Sequence, residues 1–174
     1  MFKETVQLEK LRQKIEDTSY EAGDKTDYLS YGKPSPEQAK QTQALIDKLN
    51  AETKSAQSEL KQILETLRTQ NPQIIEEWVN YHVSLLNNII NENSAHKDAK
   101  TRKFVAQETL EKWEKVRAGE MDYVNINWHF LKDYKDYVRK INEKSEISKV
   151  VQSATNQATS VQKKEEKKPF WKFW

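Results

Sequence analysis

The chain has 174 residues, of which 36% are hydrophobic and 32% charged, and its mean hydropathy is -0.99. That polarity argues against a thick compact core, while an aromatic content of 10% argues against a wholly disordered chain, so an elongated helical protein with a thin core satisfies both. A net charge of +2 supplies no overall field toward nucleic acid or membrane, and the lack of cysteine removes disulfides, thiolate metal sites and thiol chemistry.

Chain order gives the elements. Residues 2 to about 18 carry Val6, Leu8, Leu11 and Ile15 on one helical stripe. Asp17 to Ser35 reads as a loop, because Gly23, Asp24, Gly32, Lys33 and Pro34 are turn formers. Tyr20, Tyr28 and Tyr31 imply that this loop lies over the body of the protein. Ser35-Pro36-Glu37-Gln38 is a strong helix start, with Ser35 as cap, Pro36 at the first helical position and Gln38 placed to complete a capping box. From there to Gln70 a heptad runs through Ala39, Ile46, Thr53, Leu60 and Leu67, with Thr42, Leu49, Ala56 and Ile63 in the second column. The seam is narrow, coiled-coil-like, and weakest at Thr53 and Ala56. At ~1.5 Å per residue the helix would be about 50 Å long.

Asn71-Pro72 opens a third helix, whose stripe of Ile75, Trp78, His82, Leu85 and Ile89 is broadened by Ile74, Val79, Tyr81, Leu86 and Ile90. An apolar arc that wide needs more than one neighbour, which places this helix at the centre of the bundle. The fourth helix runs to about Ala118, with Ala99, Ala106, Leu110 and Trp113 facing inward and Phe104, Val105 and Val116 flanking them. Gly119 suits a left-handed C-cap. A fifth helix is expected from near Asp122, with Val124, Leu131, Tyr134, Val138 and Ile141 on one face, and weaker continuation through Ile147, Val151, Ala154, Ala158 and Val161.

The fold expected is therefore an elongated all-α bundle of four or five helices with a coiled-coil-like second helix and a flexible C-terminal tail. Its divisions are 1–35, an N-terminal helix and tyrosine-containing loop; 36–148, the bundle core; 149–168, a weakly helical or disordered linker; and 169–174, an aromatic-cationic tail. The opening Met1-Phe2-Lys3-Glu4 lacks a basic region followed by an apolar core, and nowhere does the chain approach the ~20 apolar residues that cross a bilayer. Neither a secretory signal nor a membrane span is expected.

Catalytic and metal patterns do not emerge. His82, His96 and His129 lack the spacing that sets ligands on one helical face, so they read as structural histidines and no metal or cofactor is assigned. No glycine-rich phosphate loop and no nucleophile elbow occurs, and the carboxylates are what solvated helix faces require. The reading is non-enzymatic. Lys97, Lys100, Arg102 and Lys103 form a short basic cluster at a helix N-terminus, a candidate site for an anion or an acidic partner segment, with Glu108 and Glu111 as balancing charges. No nucleic-acid motif surrounds it, and nucleic acid is not expected as a partner.

The tail carries the most information. Phe170, Trp171, Lys172, Phe173 and Trp174 hold two of the five tryptophans and two of the five phenylalanines. They follow Lys163-Lys164-Glu165-Glu166-Lys167-Lys168, and Pro169 breaks any incoming helix. Tryptophan suits the membrane–water interface, and nearby lysines add about 1 kcal/mol each on anionic lipid, offset here by Glu165 and Glu166. The expectation is a cytoplasmic adaptor or scaffold, peripheral to the inner face of a membrane through this tail and bound to a protein partner through its helices. The alternative is a soluble subunit of a larger assembly whose tail docks into a groove on another subunit. Homo-oligomerisation along the Ala39–Leu67 seam is left open.

Overall fold

The computed structural model describes residues 2–92, 98–126, 129–136 and 138–139. Among these residues the protein is all-α, with α1 Lys3–Tyr31, α2 Pro36–Gln70, α3 Pro72–Asn91 and α4 Ala99–Ala118. A non-helical segment follows α4, and helix resumes at Lys132. Residues up to Asp136 belong to one compact unit.

The start of α2 follows its sequence signal. The Ser35 hydroxyl accepts from the Gln38 amide at 3.3 Å, the Gln38 carboxamide accepts from the Ser35 amide at 3.0 Å, and Pro36 stands in the first turn. Its heptad seam is buried at Ile46, Leu49, Thr53, Ala56, Leu60 and Leu67, with Leu64 added. Helix α2 packs chiefly on α1 of the same chain. The two weak positions have local explanations. Thr53 meets Thr18 hydroxyl to hydroxyl at 2.7 Å, and Thr53 also donates to the Leu49 carbonyl at 2.9 Å. Ala56 is 2% exposed, its small side chain permitting a close approach.

The expected loop at Asp17 to Ser35 is corrected: α1 continues through Gly23 and Asp24 to Tyr31, and only residues 32–35 connect α1 to α2. A helical glycine costs about 1 kcal/mol relative to alanine, less than the gain from continuing along a 35-residue partner. Ala22 is buried in the extension, while Thr26 and Ser30 donate to the carbonyls four residues earlier. The tyrosines do not lie over the body: Tyr20, Tyr28 and Tyr31 are 54%, 41% and 82% exposed. The chain turns at Gly32, where an added Cβ would come within 2.6 Å of the Tyr28 ring and carbonyl.

Asn71 alone separates α2 from α3, its amide still bonded to the Leu67 carbonyl at 2.8 Å. It makes no side-chain cap, and Pro72 opens the helix. Helix α3 lies against α1, α2 and α4, which accounts for its wide apolar arc. Its Glu77 also serves α1, whose N-cap Phe2 has no capping side chain. The Glu77 carboxylate accepts from the Phe2 amide at 2.9 Å and the Thr5 hydroxyl at 2.5 Å. Helix α4 is tied to α3 through Arg117, which reaches Asn80 at 2.7 Å and Glu76 at 3.5 Å. Phe104, expected to flank the buried face of α4, is instead 63% exposed, and Thr109 is buried there.

Gly119 takes φ +82 and closes α4, with the Gly119 amide on the Val116 carbonyl and the Glu120 amide on the Lys115 carbonyl. These are the paired bonds of a Schellman motif. The fifth helix does not begin at Asp122. Residues 121–131 are non-helical where described, and helix runs over 132–136. Val124 and Ile126 are buried around exposed Asn125, a two-residue alternation that belongs to extended backbone. We call residues 121–126 and 129–136 the strap. The later helical positions Ile141 to Val161, the linker and the tail lie outside the described residues.

Candidate functional site

Helix α1 places three charged side chains beside its apolar stripe. Glu9, Arg12 and Glu16 recur at intervals of three and four, so they share one helical face, and all three are buried. Glu9 is the hub. Its Oε1 accepts from Arg12 Nε at 2.8 Å, and Arg12 Nη2 lies 2.7 Å from the same oxygen as an ion-pair contact. Its Oε2 faces α3, accepting from the Trp78 indole at 2.9 Å and lying 2.7 Å from His82 Nε2. Gln13 adds a longer contact at 3.3 Å.

Arg12 and Glu16 carry the network to the strap. Arg12 Nη1 donates to the Val124 carbonyl at 3.2 Å and to Glu16 at 3.4 Å. Glu16 accepts the Ile126 amide at 2.8 Å and pairs with Lys135 at 3.4 Å. These bonds satisfy backbone groups that the strap's non-helical course leaves open, which is why this stretch need not coil. On the other side of His82, Nδ1 lies 2.5 Å from the Tyr134 hydroxyl. The imidazole is stacked on Trp113 of α4 at 3.8 Å between ring centroids and 11° between planes, and Trp78 meets Trp113 edge-on at 5.0 Å. One cluster thus joins α1, α3, α4 and the strap.

Protonation states follow from these contacts. Burial alone would raise the Glu9 carboxyl, but the Arg12 guanidinium and His82 outweigh it and hold Glu9 well below the usual carboxylate range. Burial opposes charge on Arg12 too, yet Glu9 and then Glu16 hold its pKa above the ordinary guanidinium value. For His82 burial prevails: despite the pull of Glu9, its pKa is lowered, with Arg12 adding to the effect. Burial lifts the Tyr134 phenol well above its normal range against the opposing charge of Arg12. Near neutrality Glu9 is an anion and His82 is neutral. Because an anionic carboxylate only accepts, His82 Nε2 carries the hydrogen, and Nδ1 accepts from the Tyr134 hydroxyl. The order is phenol to imidazole to carboxylate, a relay by connectivity. Its histidine, however, has 0% exposure and a tryptophan across one face.

The basic cluster is divided. Lys100 stands exposed in the first turn of α4, and Lys103 is half-buried. Arg102 is engaged by Asp133 at 3.2 Å and Glu92 at 3.9 Å, so it holds the strap's helix and the end of α3. Lys97 and the tail residues Phe170, Trp171, Lys172, Phe173 and Trp174 lie outside the described residues. Sequence reasoning placed His82 in a structural role but missed Glu9, Arg12, Glu16 and the Tyr134 hydroxyl. The available signal was that each charge directly follows an apolar stripe position, at Leu8, Leu11 and Ile15.

Depressions on the described surface include two that involve α2. One of about 390 Å³ lies between α1 and α2, lined by Asp24, Lys25, Tyr28, Gln41, Thr42 and Leu45. The other, about 220 Å³, is lined by Gln62, Ile63, Thr66 and Leu67 of α2. Among the described residues there is no cluster of potential metal ligands and no helix long and apolar enough to cross a membrane. Comparison of the chain with protein-family models, with curated proteins and with solved structures gives no match.

Proposed function

We propose that the protein is a non-enzymatic helical adaptor that attaches peripherally to the cytoplasmic face of a membrane through Phe170–Trp174 and holds a protein partner on its helices. The observation that carries this reading is the run Phe170-Trp171-Lys172-Phe173-Trp174 behind Lys163, Lys164, Lys167 and Lys168. Aromatic rings with an indole N–H suit the interface between lipid and water, and cations add attraction to anionic headgroups. A segment this short gives reversible attachment, which fits an adaptor better than a permanent anchor.

Two features of the folded body support the rest. The acid–base relay is sealed inside the bundle, where it serves packing and leaves no open face for a substrate. The outer face of α1 presents Tyr28 and Tyr31, exposed together with Glu21, Asp24 and Asp27. At ~100° per residue these five fall within about 120° of the helix circumference. Exposed tyrosines are frequent anchors of protein interfaces, and the groove beside Tyr28 gives a partner side chain somewhere to enter.

Co-sedimentation with phosphatidylserine-containing vesicles at low salt tests the attachment, comparing the chain with a version ending at Lys168. The chain should pellet and the shortened form should stay in solution. If both remain in the supernatant, membrane attachment is refuted. The docking of the same residues into a partner's groove then becomes the better account, a reading that Glu165 and Glu166 already favour by diluting the lysines.

A further inference from the structure

We propose that the strap, residues 121–126 and 129–136, is an acid-released latch whose catch is the imidazole of His82. Two carboxylates, Glu9 and Glu16, face two cations, Arg12 and Lys135, within one connected cluster. With His82 neutral the cluster sums to zero. A proton on His82 leaves one positive charge that nothing in the cluster compensates, at a site of 0% exposure.

The hydrogen bonds around the imidazole have a fixed direction. Neutral His82 donates from Nε2 to Glu9 and accepts at Nδ1 from the Tyr134 hydroxyl. When a proton from solvent binds Nδ1, the bond to Glu9 keeps its polarity and strengthens. The contact with Tyr134 reverses: the phenol oxygen must now accept from Nδ1–H, and the hydroxyl hydrogen, buried with Tyr134 at 3% exposure, loses Nδ1 as its acceptor. Acid therefore acts on the bond between α3 and the strap while leaving the α1–α3 bond in place. Each group facing the imidazole bears on the outcome. Glu9 and Glu16 of α1 favour the proton and Arg12 opposes it, Trp113 of α4 covers one ring face, Trp78 and Tyr81 flank it on α3, and Tyr134 meets it from the strap. Lys135 on the strap adds a further cation to the same cluster.

The sign follows. The latched state holds His82 with a lowered pKa because it is buried; release of the strap admits water and lets that pKa rise toward the ordinary imidazole value of about 6.5. The latch contributes its full stability above that pH. As pH falls below it, the released state binds one more proton than the latched state, and the ratio of released to latched rises by up to about tenfold per pH unit. The gain ends once pH drops below the pKa of the latched histidine.

Amide hydrogen exchange on the full chain, corrected for intrinsic rates, reads this directly. The Ile126 amide on Glu16 and the Lys135 amide on the Leu131 carbonyl report the strap, while interior amides of α2 and α3 report the body. Between about pH 7.5 and 5.5, protection at the two strap amides should fall by up to about tenfold while the body holds. His82→Gln, which cannot gain a proton, should show no such fall. Tyr134→Phe removes the hydroxyl alone and should lower Lys135 protection already at about pH 7.5. The latch is overturned if wild-type strap protection is flat with pH. It is equally overturned if His82→Gln falls in parallel, if strap and body open together, or if Tyr134→Phe leaves Lys135 as protected as in the wild type.

Discussion

Replacing Arg12 with Met tests the energetic centre of the bundle. The side chain is fully buried and bonds Glu9 at 2.8 Å, Glu16 at 3.4 Å and the Val124 carbonyl at 3.2 Å. Met fills much of the same volume, so the cavity contribution is small. What remains is two buried carboxylates and a carbonyl without their shared donor. Breaking a buried ion pair from one side costs about 3–5 kcal/mol. Trp78 and His82 still serve Glu9, and Lys135 and the Ile126 amide still serve Glu16, which argues for the lower end, about 3–4 kcal/mol. For a chain of this length each kcal/mol shifts the melting temperature by about 2–4 °C, so a drop of about 10 °C is expected at neutral pH. Glu9 would lose the charge that holds its carboxyl low, so the deficit relative to wild type should shrink as pH falls below the ordinary carboxylate range. Urea and thermal unfolding followed by far-UV circular dichroism measure both effects. Adding Glu9→Gln to Arg12→Met should recover part of the loss, because one orphaned carboxylate is removed while Glu16 stays paired with Lys135. A loss under about 1 kcal/mol in Arg12→Met would refute the placement of this network at the centre of stability.

Two local substitutions examine the connections. Gly32→Ala drives a methyl group to 2.6 Å from the Tyr28 ring and carbonyl, and should destabilise by about 1–3 kcal/mol in chemical denaturation; a neutral result would mean the turn is looser than described. Ser35→Ala removes half of the capping box of α2 and should cost about 1 kcal/mol in the same assay, with Ser35→Asp restoring most of it.

The amino-acid sequence by itself determined the start of α2, the end of α4 and the seam. A capping box, a C-terminal glycine and a heptad are local devices, legible because their partners lie within a few residues. It also marked Trp78, His82, Trp113 and Tyr134 as inward-facing, since helical periodicity reports which face is buried. Only the tertiary structure decided how far α1 runs, because Gly23 and Asp24 favour a turn and the long partner surface of α2 overrides them. Only the tertiary structure decided that residues 121–126 leave the helical conformation, because the donors and acceptors that satisfy their backbone, Glu16 and Arg12, stand 110 and 112 residues away. The same distance hid the network. Glu9, Arg12 and Glu16 look in sequence like any solvated helix face, and their burial becomes favourable only when α3 and the strap bring His82, Trp78, Tyr134 and Lys135 to meet them.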